Sequence, residues 1–113
     1  MIIYNSSKNT PLADDVKVAK NFITRSIGLL SKKDLNTNEA LIIKPCNAVH
    51  TFFMKFNIDV LYIDKNNKVL SIYENVPSSK ILPINFKCTY VIELKAQNIK
   101  NKISINDIIE LKN

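Results

Sequence analysis

A succession of short apolar segments, separated by polar or proline-containing stretches, constrains the fold of this 113-residue chain more than any other feature. Residues 16–20 roughly alternate apolar and polar side chains, which is the period of a half-buried strand. Further strand-like segments lie at residues 1–5, 40–44, 49–56, 58–63, 69–73, 88–96 and 108–112. Residues 64–68 have hairpin-turn chemistry, and residues 75–87 read as a long loop. The chain is too short for repeated βαβ units, so we predict a mainly β fold, a compact antiparallel β-barrel or sandwich.

One segment has helical spacing instead. Residues 22–31 carry apolar side chains at the i, i+4, i+7 positions of a helix face, so we predict one short helix there. The segment contains Arg25, the only arginine among 16 Lys and Arg residues, and Gly28, the only glycine. Arginine offers a planar fork for bidentate pairing, and glycine lets another chain approach closely. These two residues are therefore candidates for a special role.

Length and composition indicate a single domain spanning residues 1–113. Hydrophobic residues make up 46% of the chain and charged residues 23%, which is ordinary for a globular protein. No apolar run approaches the roughly 20 residues that a membrane span needs. Residues 1–5 lack the basic region and the long apolar stretch of a signal peptide. We therefore expect a cytoplasmic protein without membrane contact, in which Cys46 and Cys88 are reduced thiols.

The formal net charge of +6 raises the question of nucleic-acid binding. The lysines are scattered from Lys8 to Lys112, and no stripe interleaves aromatic with basic residues, as single-strand binders require. A scattered excess of lysine is explained by compositional bias better than by a phosphate footprint. We therefore predict no nucleic-acid partner.

Several motifs follow one another between residues 15 and 110. They are Arg25-x-x-Gly28-Leu29-Leu30, Leu41-Ile42-Ile43-x-Pro45-Cys46, Val49-His50-Thr51-Phe52-x-Met54-x-Phe56-x-Ile58-Asp59-Val60, Val91-Ile92-Glu93-Leu94 and Asn106-Asp107. In this order and spacing, the chain resembles domain-of-unknown-function family 192 (DUF192), small bacterial and archaeal proteins whose function is uncharacterised. The resemblance implies a mainly β fold, a compact sandwich or barrel with one short helix. It implies no activity.

Three positions depart from the family pattern. Where the family usually has glycine, this chain has Phe53, Gln97 and Asn106. Asn106 can hold a left-handed turn, whereas we expect that Phe53 cannot replace a glycine.

Cys46, His50 and Met54 carry the soft ligands of a copper or zinc site. Four residues of strand span about 13 Å, however, and metal–ligand bonds are only about 2 Å long. The same separation opposes a Cys46–His50 nucleophile pair. We therefore predict no metal ion and no cofactor.

His50, the only histidine, has two interpretations. Its imidazole is either hydrogen-bonded inside the fold or faces a pocket, where its near-neutral pKa would help to bind an anion. With Asp59 as its orienting group, it could also act as a general base. The spacing along the sheet leaves that pair several residues apart.

Arg25 has a similar pair of interpretations. It forms either a partly buried ion pair with Glu93, Asp59 or Asp64, since buried charge must be paired, or a fork that holds a carboxylate or phosphate beside His50 and Lys55. In both cases, replacing Arg25 with Lys is not neutral.

We therefore expect a binding module for an anionic small molecule or an acidic partner group, rather than an enzyme. Its predicted ligand-binding residues are Arg25, Gly28, His50, Lys55 and Asp59. One alternative is a hydrolase-like enzyme with His50 as base, assisted by Asp59 or Cys46. Another is a protein-interaction module, which predicts an exposed apolar patch. The candidates for that patch are Phe53, Ile81, Leu82 and Ile84.

Overall fold

The computed structural model describes residues 1–20 and 33–113, and that part of the chain contains eight strands and no helix. The strands are β1 (Ile2–Asn5), β2 (Thr10–Ala13), β3 (Asp15–Ala19), β4 (Glu39–Ile43), β5 (Ile58–Asp64), β6 (Val69–Val76), β7 (Cys88–Lys95) and β8 (Ile109–Lys112). The predicted mainly β class is confirmed. The helix predicted at residues 22–31 lies outside the described residues. No described segment is a helix long and apolar enough to cross a bilayer.

The strands form two sheets that do not close into a barrel. One sheet has the order β2-β1-β8, and the other has the order β3-β4-β7-β5-β6. Every pairing is antiparallel except β3 with β4, which is parallel. The predominantly antiparallel pairing is as predicted, and the parallel β3–β4 pair is the exception. A parallel pair needs a connection of about a dozen or more residues, and the sequence interval between Ala19 and Glu39 is long enough for one.

The central strands of the five-stranded sheet are buried on both faces. Leu61, Ile63 and Ile92 point to one face, where they pack with Ile3 and Ile109 of the three-stranded sheet. Their neighbours on the same strands point to the other face and form a second apolar cluster. Because β4, β5 and β7 lie in the middle of this sheet, their sequences are nearly continuous apolar runs, as expected for strands covered on both sides.

The second apolar cluster is covered by loops. Residues 44–57 connect β4 to β5, and residues 77–87 connect β6 to β7. Val49, Met54 and Leu82 of these loops are buried against the sheet. The strand predicted at residues 49–56 is therefore wrong, because its apolar residues cover a sheet face instead of extending the sheet. Only an isolated bridge between His50 and Ile81 remains of it.

Short edge elements explain the other differences. The sequence pattern missed β2, which contains Pro11 and is an edge strand. Proline is tolerated in an edge strand because its nitrogen can face away from the sheet, where no N–H is needed.

The hairpin turn at residues 64–68 is confirmed. There Asp64 Oδ1 accepts hydrogen bonds from the N–H groups of Asn66 (2.8 Å) and Lys68 (2.9 Å), and Asn67 has a φ of 63°.

Candidate binding surface formed by two loops

The loops at residues 44–57 and 77–87 run side by side and are joined through their backbones. The Leu82 N–H donates to the Val49 carbonyl (3.0 Å), and the Thr51 N–H donates to the Lys80 carbonyl (2.9 Å). The Asn85 N–H donates in the same way to Asn47 (3.0 Å). These hydrogen bonds join the two loops, which therefore present one surface.

Thr51 is the centre of this junction. Its side chain is fully buried, and its hydroxyl Oγ1 donates to the Pro77 carbonyl (2.6 Å) and accepts from the Lys80 N–H (2.9 Å). Its own carbonyl accepts from the Ser79 N–H (3.1 Å). The sequence analysis assigned Thr51 no role. Its place between His50 and Phe52 in a motif was the available signal, but its loop partners lie almost thirty residues away along the chain.

The inner side of the loops is anchored to the sheet. Leu82 is only 8% exposed, so its predicted place in an exposed patch is wrong. The Tyr62 hydroxyl on β5 donates to the Pro83 carbonyl (2.8 Å). Burial is the main cause that raises the pKa of Tyr62, so it remains a neutral donor over the physiological range. These contacts hold the two loops against the sheet.

The outer side of the loops carries large apolar side chains. Phe53 is 81% exposed, Ile81 is 74% exposed and Ile84 is 61% exposed. The side chain of Phe52 is exposed as well. We call these four residues the two-loop surface. The exposure predicted for Phe53, Ile81 and Ile84 is confirmed. Phe86 of the second loop, which the sequence analysis did not single out, is exposed as well.

The loops are also cationic. Residues 44–57 and 77–87 contain four lysines (Lys44, Lys55, Lys80 and Lys87) and no Asp or Glu. All four lysines are exposed. No Asp or Glu of the two loops themselves competes for these ammonium groups. Lys44 Nζ lies over the Tyr90 ring at 5.3 Å, and Lys87 lines a cavity together with Asp64. The loops therefore carry a net positive charge, which favours an acidic partner.

Phe53 has an unusual backbone. Its φ is 65°, and Gln97 and Asn106 have φ values of 68° and 74°. All three positions at which the family usually has glycine are therefore left-handed here as well. The expectation that Phe53 cannot replace a glycine is wrong, although the conformation costs about 1–2 kcal/mol for a residue with a Cβ. A strained backbone that displays an exposed aromatic ring points to a role outside the fold.

His50 lies at the edge of this region. It is half-buried, and its Nδ1 accepts from the Phe52 N–H (3.3 Å). The His50 and Phe52 rings are in contact, with centroids 5.0 Å apart. Lys55 is exposed on the same loop. Two of the predicted ligand-binding residues therefore share one loop, whereas Arg25 and Gly28 lie outside the described residues.

Asp59 lies elsewhere. It is fully buried, and it alternates with Ile58 and Val60, which face the loops. Its side chain thus points to the opposite face of the sheet. There Oδ1 accepts from the Asn75 N–H (2.8 Å) and Oδ2 from the Ile99 N–H (3.4 Å). The structure therefore does not bring Asp59 to His50, and a His50–Asp59 acid–base pair is not formed.

The soft-ligand residues Met54 and Cys46 lie in or against the apolar core. Met54 is buried in the apolar cluster, and Cys46 lines a cavity with Cys88. Among residues 1–20 and 33–113, no group of three or more His, Cys, Asp or Glu side chains is placed to hold a metal ion.

Comparisons with known proteins agree on one family. The sequence model of DUF192, described as "Uncharacterized ACR", matches residues 3–111. A UPF0127 protein of Pyrococcus horikoshii is 34% identical over 98 residues, which cover 81% of this chain and 82% of that protein.

Two crystal structures are similar in fold. A protein of unknown function from Novosphingobium aromaticivorans has a TM-score of 0.81 at 16% identity, covering 97% of this chain and 82% of that one. A protein from Sinorhizobium meliloti, described provisionally as a transcription regulator, has a TM-score of 0.76 at 20% identity, with coverage of 96% and 89%. At these identities the similarity shows the fold alone.

Proposed function

The chain belongs to the DUF192 family, whose shared fold carries no assigned activity, and we propose from its own surface that it is a protein-binding module for an acidic, partly apolar segment of a partner protein. The observation that carries this proposal is a pair of joined loops without a single Asp or Glu that exposes Phe53, Ile81 and Ile84. Fold alone does not define a function, so the argument rests on this site.

The rigidity of the loops supports the proposal. Association is weakened by the ordering of mobile loops and side chains, and a surface that is already ordered avoids much of that cost. Thr51 holds both loops through hydrogen bonds of 2.6–2.9 Å, and Val49 and Leu82 anchor them from below. A partner would therefore meet a preformed surface.

The exposed apolar side chains provide the affinity. Aromatic residues are enriched at the centres of protein interfaces, and a few of them carry most of the binding energy. Burying a Phe or Ile side chain contributes about 1.5–3 kcal/mol. Phe53 is the candidate centre because it is the most exposed residue of the two-loop surface.

The lysines determine the class of partner. Lys55 and Lys80 flank the two-loop surface in sequence, and a carboxylate-bearing segment would complement their charge. Such complementarity raises the association rate and excludes basic partners. This matches the acidic partner group predicted from the sequence. Arg25, Gly28 and His50 remain predicted contributors, while Asp59 is left out because protein N–H groups occupy its carboxylate.

We further infer that the two sheets, which share one apolar layer, form a sandwich, and that the protein acts in the cytoplasm. Both inferences follow the sequence predictions, and the second is supported by the two reduced thiols.

The test uses a designed peptide. The peptide has alternating Leu and Glu residues and a single Trp. Because this chain contains no Trp, the fluorescence of the peptide's Trp reports binding. We expect it to bind more tightly than two controls, one with Lys for Glu and one with Ser for Leu. Lys80→Glu should weaken binding about tenfold or more, as loss of an ion pair at an interface does. Lys100→Glu, in the β7–β8 connection, is the matched charge control and should bind normally.

Other outcomes of these binding experiments would refute the proposal or replace it with one of the alternatives. Equal binding of all three peptides, or none to any of them, refutes the proposal. Binding of pyrophosphate or citrate that is lost in Arg25→Ala and His50→Ala, without peptide binding, would replace it with the predicted site for an anionic small molecule. Hydrolysis of an ester substrate that is abolished in His50→Ala would favour the enzymatic alternative instead.

A further inference from the structure

Cys46 and Cys88 are brought together by the fold, although they are 42 positions apart in the sequence. Both line one cavity of about 210 Å³, together with Pro45 and Asn47. Cys88 is the first residue of β7, and Cys46 follows the end of β4, the neighbour of β7 in the sheet. The cavity therefore lies where the first loop leaves the sheet.

The backbone holds the two residues at this position. The Cys46 N–H donates to the carbonyl of Thr89 (3.1 Å), the residue next to Cys88. This hydrogen bond places Cys46 beside the residue that follows Cys88, and both cysteines line the same cavity. Each thiol is also oriented, since the Cys46 Sγ–H donates to Ala48 (3.1 Å) and the Cys88 Sγ–H to Tyr90 (3.2 Å).

We infer that Cys46 and Cys88 form a reversible, peroxide-sensitive dithiol site, which closes to a disulfide within one chain. Both cysteines are reduced in the structure. The inference is independent of the proposed binding function, because it concerns the connection of the first loop to β7 and not the two-loop surface.

The reaction needs a hydroperoxide as oxidant. The Cys46 thiolate attacks one peroxide oxygen and breaks the O–O bond, giving a sulfenic acid and hydroxide. The Cys88 thiol then passes its proton to that hydroxide, and its sulfur attacks the Cys46 sulfur, breaking the S–O bond and releasing a second hydroxyl group that takes up the proton of the original Cys46 thiol. In sum, two thiols and one hydrogen peroxide give one disulfide and two waters.

The burial of the two residues sets their order. Cys46 is half-buried and lines the open cavity, whereas Cys88 is only 8% exposed. Burial is also the main cause that raises the pKa of Cys88 to about 11, and the nearby Cys46 thiol adds to it. Since the thiolate is the nucleophile, Cys46 reacts first and Cys88 resolves the sulfenic acid.

The experiment treats the folded protein with hydrogen peroxide, then unfolds it and counts the thiols that can be alkylated. We expect both thiols to disappear together, a monomer that has lost the mass of two hydrogen atoms, and a peptide map that joins Cys46 to Cys88. Dithiothreitol should restore both thiols. The oxidised protein should melt several degrees higher, because the cross-link constrains the unfolded chain.

Two variants identify the order of reaction. In Cys88→Ala, the sulfenic acid on Cys46 should persist and be trapped by dimedone. In Cys46→Ala, Cys88 should remain alkylatable after the same peroxide treatment. The inference is overturned if peroxide leaves both wild-type thiols intact, converts Cys46 to sulfinic acid while Cys88 stays reduced, or gives only cross-linked dimers. The wild-type peptide map decides by itself if a variant does not fold.

Discussion

Phe53→Gly separates the stability of the fold from the binding function of the two-loop surface. Phe53 is left-handed with a φ of 65° and 81% exposed. Most substitutions that remove a large aromatic side chain destabilise a protein, because such residues are usually buried. Here the side chain is displayed on a strained backbone, so its removal should harm binding while leaving the fold intact.

The magnitude follows from three contributions. Relief of the left-handed strain stabilises the variant by about 1–2 kcal/mol. The greater freedom of glycine in the unfolded chain removes about 0.4–1 kcal/mol of this gain. About a fifth of the Phe53 side chain is buried, so lost contacts remove roughly 0.3–0.6 kcal/mol more, given about 1.5–3 kcal/mol for full burial. The net change lies between a loss of about 0.6 kcal/mol and a gain of about 1.3 kcal/mol.

The assay has two arms. Urea denaturation followed by circular dichroism gives the free energy of unfolding, and titration with the Trp-containing acidic peptide gives the affinity. We expect the affinity to fall about tenfold or more, since 1.4 kcal/mol corresponds to a factor of ten. Gln97→Gly is the matched control, because Gln97 is also exposed and has a φ of 68°. It should show a similar change in stability and unchanged peptide affinity.

Two results would refute this reasoning. A loss of more than about 2 kcal/mol in Phe53→Gly would mean that the ring supports the fold, as a buried aromatic does. Unchanged peptide affinity would remove Phe53 from the binding surface. Phe53→Asn provides a further check, because Asn tolerates the left-handed region and should reproduce the loss of affinity.

Further predictions concern residues that hold the fold. Thr51→Val removes the hydrogen-bond partner of the Pro77 carbonyl and of the Lys80 N–H and should destabilise the protein by roughly 1–3 kcal/mol in urea denaturation, whereas Thr51→Ser should restore most of the loss. Asp59→Asn places an amide against backbone N–H donors and should lower the melting temperature without changing peptide affinity; the reverse pattern would contradict its structural role. Burial raises the pKa of Asp107, but hydrogen bonds from neighbouring groups outweigh it, so that this pKa is lowered overall. The corresponding stability is present above the unfolded pKa of about 3.9 and is lost as the pH falls through the folded value, and Asp107→Asn should flatten this part of the pH–stability curve. Arg25→Lys should lower either the melting temperature or anion affinity, and no change in both would contradict the special role predicted for this arginine.

Strands in the centre of the sheet could be predicted because a strand that is buried on both faces has a nearly continuous apolar sequence. The segment at residues 58–63 corresponds to β5, which is buried on both faces, and the turn that follows is marked by Asp and Asn residues whose side chains form it. In contrast, residues 49–56 are also largely apolar but cover a sheet face. Periodicity reports which side chains are buried and not whether the backbone pairs with a strand, so these two cases look alike in sequence.

The candidate site was only partly predictable for a related reason. Phe53 and Ile81 are exposed as predicted, whereas Leu82, the neighbour of Ile81 in the second loop, is buried. Asp59 looked like a site residue because it is a carboxylate in an apolar strand. Its backbone N–H partners, Asn75 and Ile99, lie 16 and 40 positions away, and nothing in the local sequence identifies them.

The sequence by itself determined the mainly β class and the family, as well as the four lysines and the absence of Asp and Glu in residues 44–57 and 77–87. These properties depend on local pattern and composition, which do not require knowledge of distant neighbours. The tertiary structure decided the parallel β3–β4 pair, the role of Thr51, the face on which Asp59 lies and the meeting of Cys46 with Cys88. Each of these depends on contacts between residues far apart in the chain, which are set when the sheets and loops pack together.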